Sequence, residues 1–308
     1  MASAALVIVG FLILYVALSH QVYRRAFKPP RSAWLDDFSF TPFEFQVDYE
    51  DVELVTADGI NFGAWHFRQP GSPQTVIISG GHKGQRQDAL GIAVALWRKG
   101  FNVVLYSYSG MPGSDRAPIT FGIKEVLELQ AAIAFARKRI PNARIGLLGY
   151  SMGAVVSLLG AAGEPGVQAL VLDSPFSDLR RLLIENVRSS SRLPGTPFVW
   201  LAGVMFWLST HSSMSACRPL DVLSSLEPRP LFFIHGGADA ITNVNHSRRL
   251  YDAYRGPREI WIVQGAPHTG AYFADRPLYV ERVAGFFARH LGLDVSSHLR
   301  LVEEEEVS

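Results

Sequence analysis

Ser151 stands in the run Gly149-Tyr150-Ser151-Met152-Gly153, between an apolar stretch, Ala143 to Leu148, and a stretch of small residues, Ala154 to Ala162. A serine alcohol is a weak nucleophile at neutral pH and needs a base beside it. Histidine suits that task because its pKa lies near ambient pH. A carboxylate behind the imidazole then fixes its tautomer and stabilises the imidazolium. Two later motifs supply those groups. Asp239 closes His235-Gly236-Gly237-Ala238-Asp239, just past the apolar run Leu231 to Ile234, and His268 closes Gly265-Ala266-Pro267-His268, just past Glu259 to Val263. Nucleophile, acid and base thus follow one another in an order compatible with two-step acyl transfer.

Taken singly, an aspartate in a glycine-rich loop reads as a turn residue and a loop histidine as a surface group. Only the joint order, behind a serine flanked by glycines, lifts them above that. Asp173 ends the strand after Ser151 and is a competing acid; Asp115 reads as a helix cap, and His235 as a structural residue of a strand end. Acyl transfer also requires donors for a developing oxyanion. The backbone N–H of Met152 is one. The second is expected in Ser79-Gly80-Gly81-His82-Lys83-Gly84, where glycines let N–H groups turn inward. Gly81 is the first choice there and His82 the alternative. No Cys/His cluster has zinc spacing and no phosphate- or dinucleotide-binding glycine motif occurs, so no metal or cofactor is expected.

Gly-x-Ser-x-Gly holds a hydroxyl outward only if it joins a strand to a helix through a very tight turn. The chain has that rhythm. Phe43–Thr56 and Ile60–Arg68 alternate apolar and polar positions around the turn Ala57-Asp58-Gly59. Short continuous apolar runs then alternate with helical spacing: strands at 75–79, 101–106, 144–150, 167–172, 231–234 and 259–263, and helices at 88–99, 121–139, 152–162, 244–254 and 277–291. This predicts an α/β fold, a mostly parallel central sheet with helices on both faces. Residues 174–228 carry no clear strand and read as a lid insertion over the carboxyl edge of the sheet, where ligands bind. Within it, Pro197 to Leu208 is an apolar run too short to span a bilayer. Phe198, Trp200, Phe206 and Trp207 are the candidate acyl-pocket residues, unless they only pack the insertion on the core.

A net charge of +1 gives no reason to expect a nucleic-acid partner, and a single cysteine, Cys217, leaves the fold to rely on core burial. The first 23 residues hold no charged side chain and are largely apolar, and Arg24, Arg25, Lys28 and Arg31 follow. That order differs from a cleaved secretion signal. It predicts an N-terminal transmembrane helix over residues 1–23 in a lipid bilayer, with the catalytic domain cytoplasmic by the positive-inside rule. A linker over 24–42 with Pro29, Pro30 and Pro42, a catalytic domain over 43–291 and an acidic tail over 292–308 complete the organisation. Nothing in the sequence bears on oligomeric state.

With these motifs assembled, residues 45–290 resemble the α/β-hydrolase superfamily, and most nearly its membrane-anchored Bem46-like and serine-peptidase-like branch. The resemblance rests on Gly149-Tyr-Ser-Met-Gly153, Leu172-Asp-Ser-Pro-Phe176, His235-Gly-Gly-Ala-Asp239 and His268. It implies nucleophile, acid and base roles for Ser151, Asp239 and His268. The acyl-containing substrate is then an ester, thioester or amide; the adjacent bilayer and the apolar run at 197–208 favour a lipid or acyl ester, or a lipidated protein, with a small peptide as the alternative. An acyltransferase using the same residues and a non-catalytic membrane scaffold are the other readings. Two positions depart from the pattern. The oxyanion loop begins Ser79-Gly80 where relatives have His-Gly, and Ser107-Tyr108-Ser109-Gly110 replaces Asp-x-Arg-Gly.

Overall fold

The computed structural model describes the backbone of residues 2–28, 40–191 and 193–293, with side chains from residue 8 onward. Most of the expected linker and nearly all of the acidic tail lie outside these residues. Along the chain run α1 (Ala2–Phe27), β1 (Glu50–Val55), β2 (Asn61–Phe67), β3 (Gln74–Ser79), α2 (Leu90–Arg98), β4 (Asn102–Tyr106), α3 (Glu125–Arg139), β5 (Arg144–Tyr150), α4 (Met152–Ala162) and β6 (Val167–Asp173). They are followed by α5 (Leu179–Ser191), α6 (Gly195–Thr210), β7 (Leu231–Gly236), α7 (Asn245–Ala253), β8 (Arg258–Val263), the short α8 (Ala271–Ala274) and α9 (Arg276–Leu291).

The strands form one sheet in the order β1-β2-β4-β3-β5-β6-β7-β8. β1 and β2 pair antiparallel with each other, and β2 antiparallel with β4; every pairing from β4 to β8 is parallel. Burial explains the sequence rhythm. β3, β4 and β7 are buried at every position, whereas β1 alternates. One apolar cluster packs α1, α3, α4, α5 and α6 against one face, and a second packs α2 and α9 against the other. Cys217 is buried in the first cluster, its Sγ 2.8 Å from Phe121 O, and burial pushes its thiol pKa well up.

Helix α3 starts four residues later than the spacing predicts. Phe121 and Gly122 have φ of 57° and 112°, outside helical space, and the Glu125 carboxylate accepts from Thr120 N and Gly122 N at 2.6 and 2.8 Å to close that turn. Asp115 is not a helix cap. Its Oδ2 accepts from Asn61 N at 2.7 Å and Asn61 Nδ2 at 2.9 Å, holding the start of β2.

The N-terminus differs most from expectation. Among the described residues no helix is long and apolar enough to cross a membrane. Helix α1 runs to Phe27, beyond the expected boundary at residue 23, and its last two turns enter the body of the protein. Ser19, His20, Gln21, Arg24 and Arg25 interrupt the apolar run, and Tyr23, Ala26 and Phe27 are buried among core side chains. The helix therefore has two characters: Phe11 is 70% exposed and Phe27 1%. Its partner is α6. Tyr15 Oη donates to Pro197 O at 2.9 Å, and the Phe27 and Phe206 rings lie 4.4 Å apart.

Candidate active site

The glycines around Ser151 are required by contact, not only by flexibility. A Cβ on Gly153 would run into Ser79 O and Gly80 O, and one on Gly149 into the backbone of Gly153 and Ala154. β5 and α4 can therefore approach closely enough to make a turn with no spare residue. Ser151 takes the strain, with φ 52° and ψ −112°. Its N–H donates to Asp173 O at 2.8 Å, which ties the turn to the end of β6, and α4 begins at the next residue. The helix N-terminus adds partial positive charge near the hydroxyl.

The three residues singled out by order converge. His268 Nε2 lies 2.9 Å from Ser151 Oγ, and His268 Nδ1 lies 2.6 Å from Asp239 Oδ2. A carboxylate only accepts, so Nδ1 carries the proton and Nε2 accepts from the serine hydroxyl. The Asp239 side chain is buried and well satisfied. Oδ1 accepts from Ile241 N and Thr242 N at 2.8 and 2.7 Å. Burial alone would raise its pKa; hydrogen bonds from His235 and His268 reverse that and hold it well below the usual carboxylate range.

His235, a structural residue by its sequence context, takes part in the site. Its Nε2 is 3.2 Å from Asp239 Oδ2 and 2.7 Å from Thr242 O, both acceptors, so that nitrogen carries the proton; Nδ1 then accepts from Ser247 Oγ at 2.7 Å. It thereby fixes the Asp239 carboxylate from behind. The sequence signal available was its spacing, four residues before Asp239. Asp173 does not face His268. Its Oδ2 accepts from Tyr279 Oη at 2.9 Å and its Oδ1 from Ser174 Oγ at 2.8 Å, while Ser174 Oγ accepts from Thr269 N at 3.2 Å. It braces the turn and the histidine loop together, and burial raises its pKa to about 6.

The glycine loop after β3 borders Ser151: a Cβ on Gly81 would stand 3.8 Å from Ser151 Cβ and Tyr150 O. Gly84 N donates to Gly81 O at 3.1 Å to close the turn. The His82 side chain turns away toward α1, its Nε2 2.7 Å from Ala26 O and its ring stacked 4.7 Å from Phe121; burial lowers its pKa to about 4, so it is neutral. The two departures from the family pattern are compensated locally. Ser79 Oγ shares a hydrogen bond with Tyr106 Oη at 2.8 Å. Ser107 Oγ accepts from Arg86 N at 3.1 Å, and Glu128 Oε1 accepts from Ser109 N at 2.9 Å. Burial lifts the Glu128 carboxyl to about 8.

Above Ser151 and His268 opens a cavity of about 810 Å³. Its apolar wall includes Ile92, Phe121, Phe176, Leu183, Val187 and Tyr272, and its polar edge includes Arg25, Gln85, Asn186 and Ser190. Helix α1 contributes Val22, Arg25 and Ala26, and α5 the run from Leu182 to Ser190. The pocket residues expected from α6 are corrected: Phe198, Trp200, Phe206 and Trp207 do not line it. Phe206 is buried against Phe27, Phe198 packs near Tyr15 at 5.6 Å, and Trp200 and Trp207 face outward. The charge-free helix α6 meets α1 rather than the cavity. The α5 part of the wall was signalled by Leu182, Leu183 and Val187, which share one apolar face with the core residue Leu179. Among the described residues no group of His, Cys, Asp and Glu could hold a metal ion.

Comparison with known proteins places this architecture. A family model for the α/β-hydrolase fold matches residues 76–196, the stretch from β3 through the Ser151 turn to the start of α6. An esterase of Pyrococcus furiosus, Pf2001, superposes with a TM-score of 0.70 at 26% identity, over 86% of this chain and all of that one. The fold is that of the α/β hydrolases. Two sequence relatives extend the likeness. An uncharacterized protein of Bacillus subtilis, YqkD, is 27% identical over 80% of this chain and 81% of its own. An uncharacterized membrane protein of Saccharomyces cerevisiae, YNL320W, is 28% identical over 69% of this chain and 70% of its own. Together these likenesses extend over most of the chain and agree with the α/β-hydrolase fold.

Proposed function

We propose that this α/β hydrolase is a serine hydrolase of acyl esters, acting at a membrane surface on amphipathic, lipid-like substrates. One observation carries the reading: the hydrogen-bonded line Asp239–His268–Ser151 ends on a hydroxyl at the base of an apolar cavity. Ser151 Oγ attacks the substrate carbonyl carbon as its proton passes to His268 Nε2. The resulting oxyanion is held by the N–H groups of Met152 and Gly81, with His82 N–H as the alternative donor. Collapse expels the alcohol, which takes the proton from His268 and leaves an acyl-serine. Water, deprotonated by His268, attacks that ester, and the acid departs as Ser151 recovers its proton. Asp239, acceptor of four hydrogen-bond donors, stays ionised throughout and stabilises the imidazolium.

The cavity's composition supports the substrate class. Aliphatic and aromatic side chains suit an acyl chain, and the polar edge with Arg25 suits a headgroup. The bilayer is supported by the exposed apolar residues of α1, among them Ile8, Phe11, Leu12 and Ile13, followed by the exposed Arg24, Arg25 and Lys28, and by a yeast relative described as a membrane protein. The basic residues favour a domain on the cytoplasmic side of that surface.

The test combines a fluorophosphonate probe with p-nitrophenyl esters from acetyl to palmitoyl, on wild type and Ser151→Ala. Expected are labelling and turnover by wild type, both abolished in the variant, with an optimum beyond the shortest chains. Equal labelling of the two proteins would refute the serine mechanism and leave the scaffold reading. Product partitioning to an added alcohol in place of water would identify an acyltransferase.

A further inference from the structure

The last turn of a helix leaves its final carbonyls without intrahelical donors. In α1 those carbonyls are taken up by the body of the hydrolase. Arg25 O accepts from Lys83 Nζ at 2.7 Å, Ala26 O from His82 Nε2 at 2.7 Å, and Phe27 O from Ile119 N at 3.1 Å. Two of the three donors belong to the glycine loop after β3. The contacts continue as a stack of rings: His82 lies on Phe121 at 4.7 Å, Phe121 meets Phe27 edge-on at 5.7 Å, and Phe27 rests against Phe206 at 4.4 Å.

The loop is therefore held between two neighbours. On one side Gly81 borders Ser151; on the other, the next two side chains grip the end of α1. Its first residue packs on Gly153, and the Gly84 N–H to Gly81 O bond closes it on itself; beyond that its side chains offer few anchors. Gly80, Gly81 and Gly84 carry no side chain, and Lys83 sits at φ 59°, a conformation a lysine adopts only when its surroundings enforce it. We propose that His82 is a positioning residue: through Ala26 O it clamps the glycine loop to the N-terminal helix, so that the loop's N–H groups meet the oxyanion only while α1 is seated. What the loop does in this proposal rests on the serine-hydrolase reading; where the loop is held rests on the hydrogen bonds and ring contacts alone. The site is then built from both ends of the chain, with α1 supplying part of the cavity wall and the hold on the oxyanion donors.

The experiment compares full-length wild type, His82→Ala and His82→Gln in kinetics on a soluble p-nitrophenyl butyrate and in amide hydrogen exchange. All three keep the backbone N–H of residue 82; the alanine variant loses both the hydrogen bond to Ala26 O and the ring stacked on Phe121, and the glutamine variant restores a donor without the ring. In His82→Ala, kcat should fall about 10- to 100-fold, below the ~10²–10³ cost of losing an oxyanion donor outright, with KM within about twofold. His82→Gln, which retains an N–H donor, should recover most of it. Exchange should rise at residues 80–84 in the alanine variant and stay unchanged in β3 and α4. Unaltered kcat in His82→Ala, unaltered loop exchange, or faster exchange spread over the whole sheet would each overturn the proposal. Failure of wild type to label with a fluorophosphonate would instead remove the serine-hydrolase reading, while loop exchange would still decide whether His82 holds the loop.

Discussion

Two carboxylates lie near the Ser151 turn and are driven in opposite directions. Asp239 accepts from two backbone amides and two histidines, so its anion is favoured despite burial. Asp173 is fully buried and receives only neutral hydroxyls from Ser174 and Tyr279, so its anion is disfavoured and its pKa rises to about 6. This divergence assigns their roles: one can stabilise an imidazolium and the other braces a turn. It also sets a pH dependence. Because the folded pKa of Asp173 lies above the unfolded value of 3.8, the native state binds its proton more firmly. Its contribution to stability is therefore complete below the unfolded pKa and is lost as pH rises through about 6. Wild type measured against Asp173→Asn by urea unfolding should be more favoured at pH 4 than at pH 7 by about 2 kcal/mol. A difference that does not vary with pH would contradict this account. Ser151, Asp239 and His268 were legible because chain order and strand ends constrain them together. His235 was not, since its part depends on Ser247 and Thr242 closing around the ring.

Among the elements, β3 to β7 could be read directly because strands buried on both faces leave unbroken apolar runs. Helix α6 defeated the same reasoning. Its sequence says only that it is apolar all round, and which aromatic faces inward is decided by α1, a neighbour nearly two hundred residues away along the chain. Helix α1 was misjudged for the converse reason. Its apolar first half looked like a bilayer span, while the packing of Tyr23 and Phe27 is a tertiary choice with no local signature. The β5–α4 turn is the least tolerant junction. Gly153→Ala sets a Cβ against Ser79 O and Gly80 O, backbone atoms with no rotamer that relieves the clash, so the backbone itself must shift. It should cost about 1–3 kcal/mol or more in thermal or urea unfolding and should abolish fluorophosphonate labelling by pushing the glycine loop from Ser151. A variant with unchanged melting temperature and full labelling would show that the junction has slack.

Over the whole molecule, the cavity gathers residues from Val22 to Phe273, drawn from helices on both ends of the chain and from loops at the carboxyl edge of the sheet. That edge was foreseeable from the alternation of strands and helices, but the cavity's shape was not, because it depends on how α1 and α5 settle over it. Its depth invites a size test. Val187→Trp should lower kcat/KM for a dodecanoyl ester by about tenfold or more while altering the acetyl ester little, since lost apolar contact is worth ~1–3 kcal/mol per step. Equal effects on both esters would mean the acyl chain lies elsewhere. Cys217, enclosed among core side chains with its sulfur against Phe121 O, has a further use. A lone thiol hidden from solvent is silent toward maleimides and nitroxide reagents. Any cysteine introduced at Ser190 on the rim, or at Phe11 on α1, would then be the single reporter, and spectroscopists could follow the outer helices in the otherwise unaltered protein.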